Sequence, residues 1–255
     1  HGLRMPLFRW QKPWANSVTA ALFLSTLLIF VVPVLSLAMS GMGSLSKLDG
    51  SEVASAILVT LLLGLAVGLL STLLSLGLCY GALRNSIRWL RVACAVCSGL
   101  PVAVSSILMS LAIMYEWPSL RDWNAWLPIL VVQSLLAVPL VTRPIRAALL
   151  AIPQPTLRSA QALGANAWQR FVWVEMPAIR RSLLVGFVFG LGLSLGEVGA
   201  VLMFVSESTL TLPLVMYRWM SSYHFTDAVG AGFLLLVVMA SLFAVGERFQ
   251  RVKHA

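Results

Sequence analysis

Val53-Ala-Ser-Ala-Ile-Leu-Val-Thr-Leu-Leu-Leu-Gly-Leu-Ala-Val-Gly-Leu-Leu-Ser-Thr-Leu-Leu-Ser-Leu-Gly-Leu-Cys-Tyr-Gly-Ala-Leu83 runs from Glu52 to Arg84 without one charged side chain. About 20 apolar residues in a helix cross the ~30 Å of hydrocarbon in a bilayer, so this stretch is long enough to span a membrane. Uncharged runs also occupy 13 to 46, 92 to 115, 123 to 142, 182 to 206 with Glu197 as the exception, and 228 to 246. The whole chain is 59% hydrophobic and 11% charged, with a mean hydropathy of +0.90, against roughly 45–50% and ~25% in soluble domains. A closed barrel, the other way to cross lipid, would show ten-residue alternating segments, and none is present. The reading is an all-α polytopic membrane protein, one transmembrane domain over 1–255. Its six spans fall at approximately 16–40, 56–83, 92–115, 123–142, 182–206 and 228–246. Pro33 and the Ser-Gly stretch from Ser40 to Ser46 are expected to end the first helix.

Such a topology divides the basic residues unevenly. Arg4, Arg9, Lys12, Arg84, Arg88, Arg91, Arg143, Arg146, Arg158, Arg170, Arg180, Arg181, Arg248, Arg251 and Lys253 fall on one side, and only Lys47, Arg121 and Arg218 on the other. By the positive-inside rule the rich side is cytoplasmic, which puts both termini in the cytoplasm. The net charge of +9 and the pI near 10.3 are then mostly a topology signal. Nucleic-acid binding would gather basic residues on one face with aromatic platforms between them, whereas here they are spread over four loops.

The first apolar run is too long for the core of a secretory signal and no small-x-small cleavage site follows a short one, so no cleavable signal is expected. The chain begins at His1, which leaves either Met5 as the natural start or a piece of a longer polypeptide. Cys79, Cys94 and Cys97 lie inside expected spans. Cys94-Ala-Val-Cys97 has a CxxC spacing with no second pair and no nearby His, so a packing role is expected and no metal centre.

The external loops are short, and the largest polar insertion is cytoplasmic. In the loop over 153–181, Pro153 and Pro155 break the preceding helix, and Thr156 is placed to cap a short helix through Leu163. Gly164 permits a turn, and Asn166 is placed to cap a second short helix ending before Pro177. Ala160 and Gly164, four apart, offer a strip poor in side chains against which another protein can pack. Leu157, Leu163, Trp168, Phe171 and Trp173 are too apolar for a solvated linker. Docking on a partner and lying flat on the inner leaflet both satisfy this pattern.

The segment Arg158-Ser-Ala-Gln-Ala-Leu-Gly-Ala-Asn-Ala-Trp-Gln-Arg-Phe-Val-Trp-Val-Glu-Met-Pro177 resembles the EAA loop of binding-protein-dependent ABC importer permeases. That pattern is Glu-Ala-Ala, three residues, Gly, nine residues, then hydrophobic-x-hydrophobic-Pro. Ala160 matches the second Ala, Gly164 the Gly, and Val174-Glu175-Met176-Pro177 the ending, whereas Arg158 stands in place of Glu and Ser159 in place of the first Ala. Leu195-Gly-Glu-Val-Gly-Ala200 and Thr211-Leu-Pro213 extend the resemblance. It implies a permease subunit, or half of one, in which the loop between spans 4 and 5 is a coupling helix docked on a cytoplasmic ABC ATPase. The docking residues would be Arg158, Ser159, Ala160, Leu163, Gly164, Ala165 and Pro177. A second permease copy or homologous half and an extracytoplasmic solute-binding protein would complete the assembly. The chain has no G-x-x-x-x-G-K phosphate loop, so it binds no cofactor on this reading, it is no enzyme, and a partner hydrolyses the ATP.

Glu197 is the one formal charge inside an expected span, and a charge there costs several kcal/mol unless it faces water, a partner or the bundle interior. Lining the pathway, a structural hydrogen bond and local unwinding are all open to it, and Gly196 and Gly199 beside it are grouped with it as a gate. Gly64, Gly68, Gly186, Gly190 and Gly192 are expected to serve close helix packing. The stretch from Thr211 through Tyr217 and Tyr223 to Asp227 is similar to the C-terminal halves of thiamine-type permeases, and the fifth span to those of ferric-ion, phosphonate, molybdate and sulfate permeases. This resemblance leaves the solute, thiamine or another small ion, unspecified. An ion-coupled secondary transporter is the alternative, although such carriers place several charged groups at midplane and only Glu197 answers that description. An intramembrane hydrolase is remote, since His1, His224 and His254 lie outside the spans.

Overall fold

Three helices made from the most apolar, glycine-rich runs cross at the centre of the molecule: α2 (Gly50–Arg84), α5 (Trp126–Ala151) and α8 (Met176–Gly196), each packed along both of the others. Lipid tails give apolar helices no hydrophobic reason to associate, so the seam depends on close approach and on polar rungs. Gly190 brings its backbone so near Gly68 and Ser71 that an added Cβ would collide with the serine hydroxyl, and one on Gly186 would lie 2.9 Å from Val141. Along the same seam the Ser75 hydroxyl donates to the carbonyl of Val138 at 3.3 Å, and Cys79 Sγ lies 3.7 Å from that of Thr142. Gly68, Gly186 and Gly190 are thus packing residues.

The computed structural model describes residues 13–48, 50–119, 125–204 and 210–251, and among them every regular element is helical. In chain order the remaining helices are α1 (Pro13–Ser44), α3 (Arg88–Gly99), α4 (Ser106–Glu116), α6 (Gln154–Ala162), α7 (Ala167–Arg170), α9 (Gly199–Met203), α10 (Leu212–Ser221) and α11 (Phe225–Arg251). Five helical segments are long and apolar enough to cross a membrane, or six if one bent pair counts as a span. Arg4, Arg9, Lys12, Arg121 and Lys253, and the expected span edges at 123 and 206, lie outside the described residues.

The helices depart from the expected span bounds at four points. Helix α1 runs through Pro33 to Ser44, and its most apolar stretch packs so little against the bundle that none of it is buried. A membrane helix tolerates an internal proline because neighbouring groups re-satisfy the freed carbonyl. The third span is not continuous over 92–115: α3, continued by the short helical turn Leu100–Ala103, and α4 are bent by 108° at the break over Val104 and Ser105. Pro101 has no N–H to donate, and Ser105 restarts the chain by accepting from Leu108 N at 3.3 Å. The fourth helix continues beyond 142 to Ala151 despite Pro139 and Pro144. The fifth span ends at Gly196 instead of running to 206, with Glu197 in an extended conformation and the short α9 beyond it.

Beyond the fifth span, the stretch read as an external loop contains α10, whose Leu212, Leu214 and Val215 are buried. Thr60 on α2 holds its start, accepting from Leu212 N at 2.7 Å while donating to the carbonyl of Ala56 at 2.6 Å. Tyr223, at φ 64, ends α10 with a bond from His224 N to the carbonyl of Trp219 at 2.8 Å. Helix α11 then returns to pack on α1, α8 and α10.

Candidate functional site

The segment after α5 is a helix, a tight turn and a second helix, with each boundary fixed by a local rule. Pro153, extended at ψ 131, occupies the N-cap of α6, one turn ahead of the expected Thr156, and Pro155 sits in the first turn where no intrahelical donor is needed. At the other end Gly164 takes φ +83. Its N–H reaches the carbonyl of Gln161, and that of Ala165 reaches Ala160, both at 3.0 Å, a Schellman pair that depends on a left-handed residue. Two residues later Asn166 and Gln169 form a reciprocal capping box: Gln169 N donates to Asn166 Oδ1 at 2.8 Å and Asn166 N to Gln169 Oε1 at 2.9 Å. Three consecutive devices stiffen the turn.

This turn is anchored on one side and bare on the other. Leu157 is buried in a cluster with Ile145, Leu149, Ile152 and Ile179, which fastens α6 beneath α5 and α8. Arg158, Ser159, Leu163 and Gly164 are exposed, and Ala160 and Ala165 are half-buried. Leu163 is 88% exposed, an unusual place for a leucine at a polar turn. The structure gathers Arg158 to Ala165 on this one element, whereas Pro177 stands apart in the first turn of α8. No separate loop divides the second short helix from the fifth span: α7, the π turn Phe171–Glu175 and α8 form a continuous helical rod, Ala167–Gly196.

Sequence reasoning missed the charge at the base of this rod. Glu175, read only as the variable position before Met176 and Pro177, is 0% exposed. Its Oε1 lies 3.3 Å from Arg84 Nε at the end of α2 and 3.4 Å from Arg170 Nε at the end of α7. These are charge contacts and not aligned hydrogen bonds, since neither Nε and neither carboxylate oxygen completes one among the described residues. The second guanidinium nitrogen of Arg84 donates to the carbonyl of Leu149 on α5 at 3.5 Å. One turn earlier Tyr80 meets Phe171 edge to face at 5.5 Å. The signal was present in the sequence, an acid flanked by Arg170 and Arg180 in an apolar stretch, but nothing local says that it faces inward.

At the opposite end of α8, Glu197 turns back on its own chain. Its Oε1 accepts from Gly199 N at 2.8 Å and Ala200 N at 3.4 Å, which caps α9 across the break. Gly196 is exposed, while Glu197 and Gly199 are half-buried. Gly199 abuts Ser106, and an added Cβ would strike that hydroxyl and sit 3.0 Å from Ile107 Cγ1. The break in the fifth span is therefore packed against the start of α4, where the third span also breaks. Just below, the buried Gln133 accepts from the Ser194 hydroxyl at 2.6 Å. Among the described residues no group of three or more His, Cys, Asp or Glu side chains could hold a metal.

Comparison with known proteins gives one answer. Over 112 residues the chain is 37% identical to the molybdenum transport system permease protein ModB of Haemophilus influenzae, covering 43% of this chain and 49% of that one. Over 229 residues it is 28% identical to the thiamine transport system permease protein ThiP of Brucella abortus, covering 87% of this chain and 41% of that one. The chain thus aligns with about half of each of these relatives or less. In fold it is similar to a bacterial ABC transporter involved in the import of the acidic polysaccharide alginate, at TM-score 0.76, 19% identity and coverage of 94% and 96% of the two chains. A second structure, of the alginate transporter in complex with an alginate pentasaccharide-bound periplasmic protein, superposes at 0.72 with 20% identity, over 93% of this chain and 94% of that one. Residues 74–253, which include the turn between α6 and α7, the buried Glu175 and the break at Glu197, match the binding-protein-dependent transport system inner membrane component family, and the chain belongs to it.

Proposed function

We propose that this chain forms one transmembrane half of an ATP-driven importer and is moved by a cytoplasmic ATPase that docks on the turn between α6 and α7. The observation that carries this reading is the turn itself: rigidly capped on both sides, anchored by Leu157 and presenting an exposed Leu163. A stiff protrusion with an apolar tip and few large side chains around it is suited to insertion into a groove, because little entropy is lost on docking. Arg158, Ser159, Ala160, Leu163, Gly164 and Ala165 form the contact surface, and Pro177 sets the entry into α8 instead of touching the partner. With Arg158 in place of an acid, the matching rim of the ATPase groove is expected to carry a carboxylate.

The pathway half of the proposal lies at the two facing breaks. Gly196, Glu197 and Gly199, with Ser106 opposite, form a place where two helices stop at the same level and their backbones can rearrange without breaking a long helix. Glu197 acts there as the cap that holds the break and not as a free anion awaiting a cation, which removes its value as a clue to solute charge. A solute-binding protein outside, a second permease half beside it and cytoplasmic termini complete the arrangement, with ATP bound by the ATPase alone. Purifying the chain from its native membrane with associated proteins tests the proposal. An ABC ATPase recovered in complex supports it, and recovery of the chain as an ATPase-free carrier that transports on an ion gradient would refute it.

A further inference from the structure

Glu175 is the only fully buried acid among the residues whose side chains are described. Taking an ionised carboxylate out of water is costly, and a buried charge cluster is often no more stabilising than apolar residues of the same shape. This cluster is not even well satisfied: both arginines address the same oxygen, and the other carboxylate oxygen has no hydrogen bond. Stability alone is a poor account of it. Its position is more telling, because it joins the helical rod that carries Arg170 and Glu175 to the ends of α2 and α5. Arg170 belongs to the coupling segment, Arg84 terminates α2 and also reaches α5 through Leu149, and Glu175 lies in the π turn at the root of α8. Single π turns inside α-helices recur at functional sites, and this one coincides with the joint between the docking element and the membrane rod.

We propose that Glu175 is a positioning residue that clamps the coupling segment to the cytoplasmic ends of α2, α5 and α8, so that a displacement imposed on the α6 turn moves all three spans together. The inference rests on the coupling reading above. Packing through Leu157 alone would let α6 slide on its apolar bed, whereas a carboxylate held between two guanidiniums fixes both distance and direction. The edge-to-face contact of Tyr80 with Phe171 guards the same joint from rotation.

The test uses a cysteine-free background with nitroxide labels at Gln154→Cys on α6 and Trp89→Cys on α3, both exposed and outside the cluster and the docking surface, and electron-paramagnetic-resonance distances with and without Mg-ATP and vanadate. The complex with its ATPase should give one narrow distribution in both states. An Arg84→Met, Arg170→Met, Glu175→Gln variant, which removes every charge without stranding one, should remain folded, show a broadened distribution, and lose permease-stimulated ATP hydrolysis roughly tenfold, mid-range for a lost coupling between sites. The charge-swapped Arg84→Glu, Arg170→Glu, Glu175→Arg variant, a guanidinium between two carboxylates, should narrow the distribution again. A neutral variant as narrow and as stimulated as wild type would overturn the clamp. Should that variant not fold, the swapped variant decides, because a folded but broad swap would equally overturn it. Failure of the wild-type chain to engage any ATPase would refute the coupling reading instead, while the nucleotide-free distances of the permease alone would still report on the clamp.

Discussion

The Ser194 hydroxyl donates to Oε1 of Gln133 at 2.6 Å, which ties α8 to α5 three residues before the fifth span breaks. Both side chains are buried, and Gln133 Nε2 finds no partner among the described residues. Ser194→Ala would leave a second unsatisfied atom on the glutamine and is expected to cost about 1–2 kcal/mol of stability. Adding Gln133→Leu should recover most of that loss, because removing both partners is nearly neutral. Unfolding of the detergent-solubilised protein by each variant checks the non-additivity, and additive losses would show that the bond is not a unit.

Gly199 and Ser106 give a prediction of different character. Gly199→Ala places a Cβ against the Ser106 hydroxyl, and overpacking of this kind costs about 1–3 kcal/mol when the neighbours cannot yield. The variant should insert normally but be less stable to heating, and Ser106→Gly in the same chain should restore it. Thermal unfolding of the single and double variants decides whether the two breaks are packed on each other.

The apolar runs were enough to place the helices but not to say where they stop. Long uncharged stretches necessarily become helices in lipid, so five long spans were legible. The breaks at Ser105 and Glu197 were not. Each depends on groups that meet only in three dimensions: α4 stacks beneath Gly199, and the Glu197 carboxylate folds back on its own backbone. Between α6 and α7 the roles of Asn166 and Gly164 were readable because capping is local. The N-cap was misplaced at Thr156 because Pro155 fits the first helical turn and so need not end the preceding structure. Glu175 was invisible for the opposite reason, since its partner Arg84 lies at the far end of another span and no spacing in the chain connects the two.

Glu197 is expected to tolerate amidation better than truncation. Glu197→Gln keeps an oxygen that can accept from Gly199 N and Ala200 N, whereas Glu197→Ala loses the cap of α9, a change worth about 1 kcal/mol. ATP-dependent uptake by cells carrying each variant, at matched membrane levels, should therefore be near normal for Gln and reduced for Ala. Equal loss with both would mean that the negative charge itself is required.

Gly164 carries a backbone requirement and no steric one. A Cβ there meets nothing within 4 Å, yet φ +83 is a conformation that other residues adopt at a cost of about 1–2 kcal/mol. Gly164→Ala should leave global unfolding almost unchanged, since the turn is exposed, but loosen the Schellman pair. Amide hydrogen exchange at Ala165 should quicken in the variant, and unaltered exchange would show that the turn is not held by its glycine.

Leu163 offers the most direct test of the whole account. With a photoreactive benzoylphenylalanine in its place and the complex assembled in membranes, irradiation should crosslink the chain to an ABC ATPase, in a yield that changes when Mg-ATP and vanadate are added. Crosslinks to lipid alone in both states would contradict the claim that this turn is where the transporter is driven.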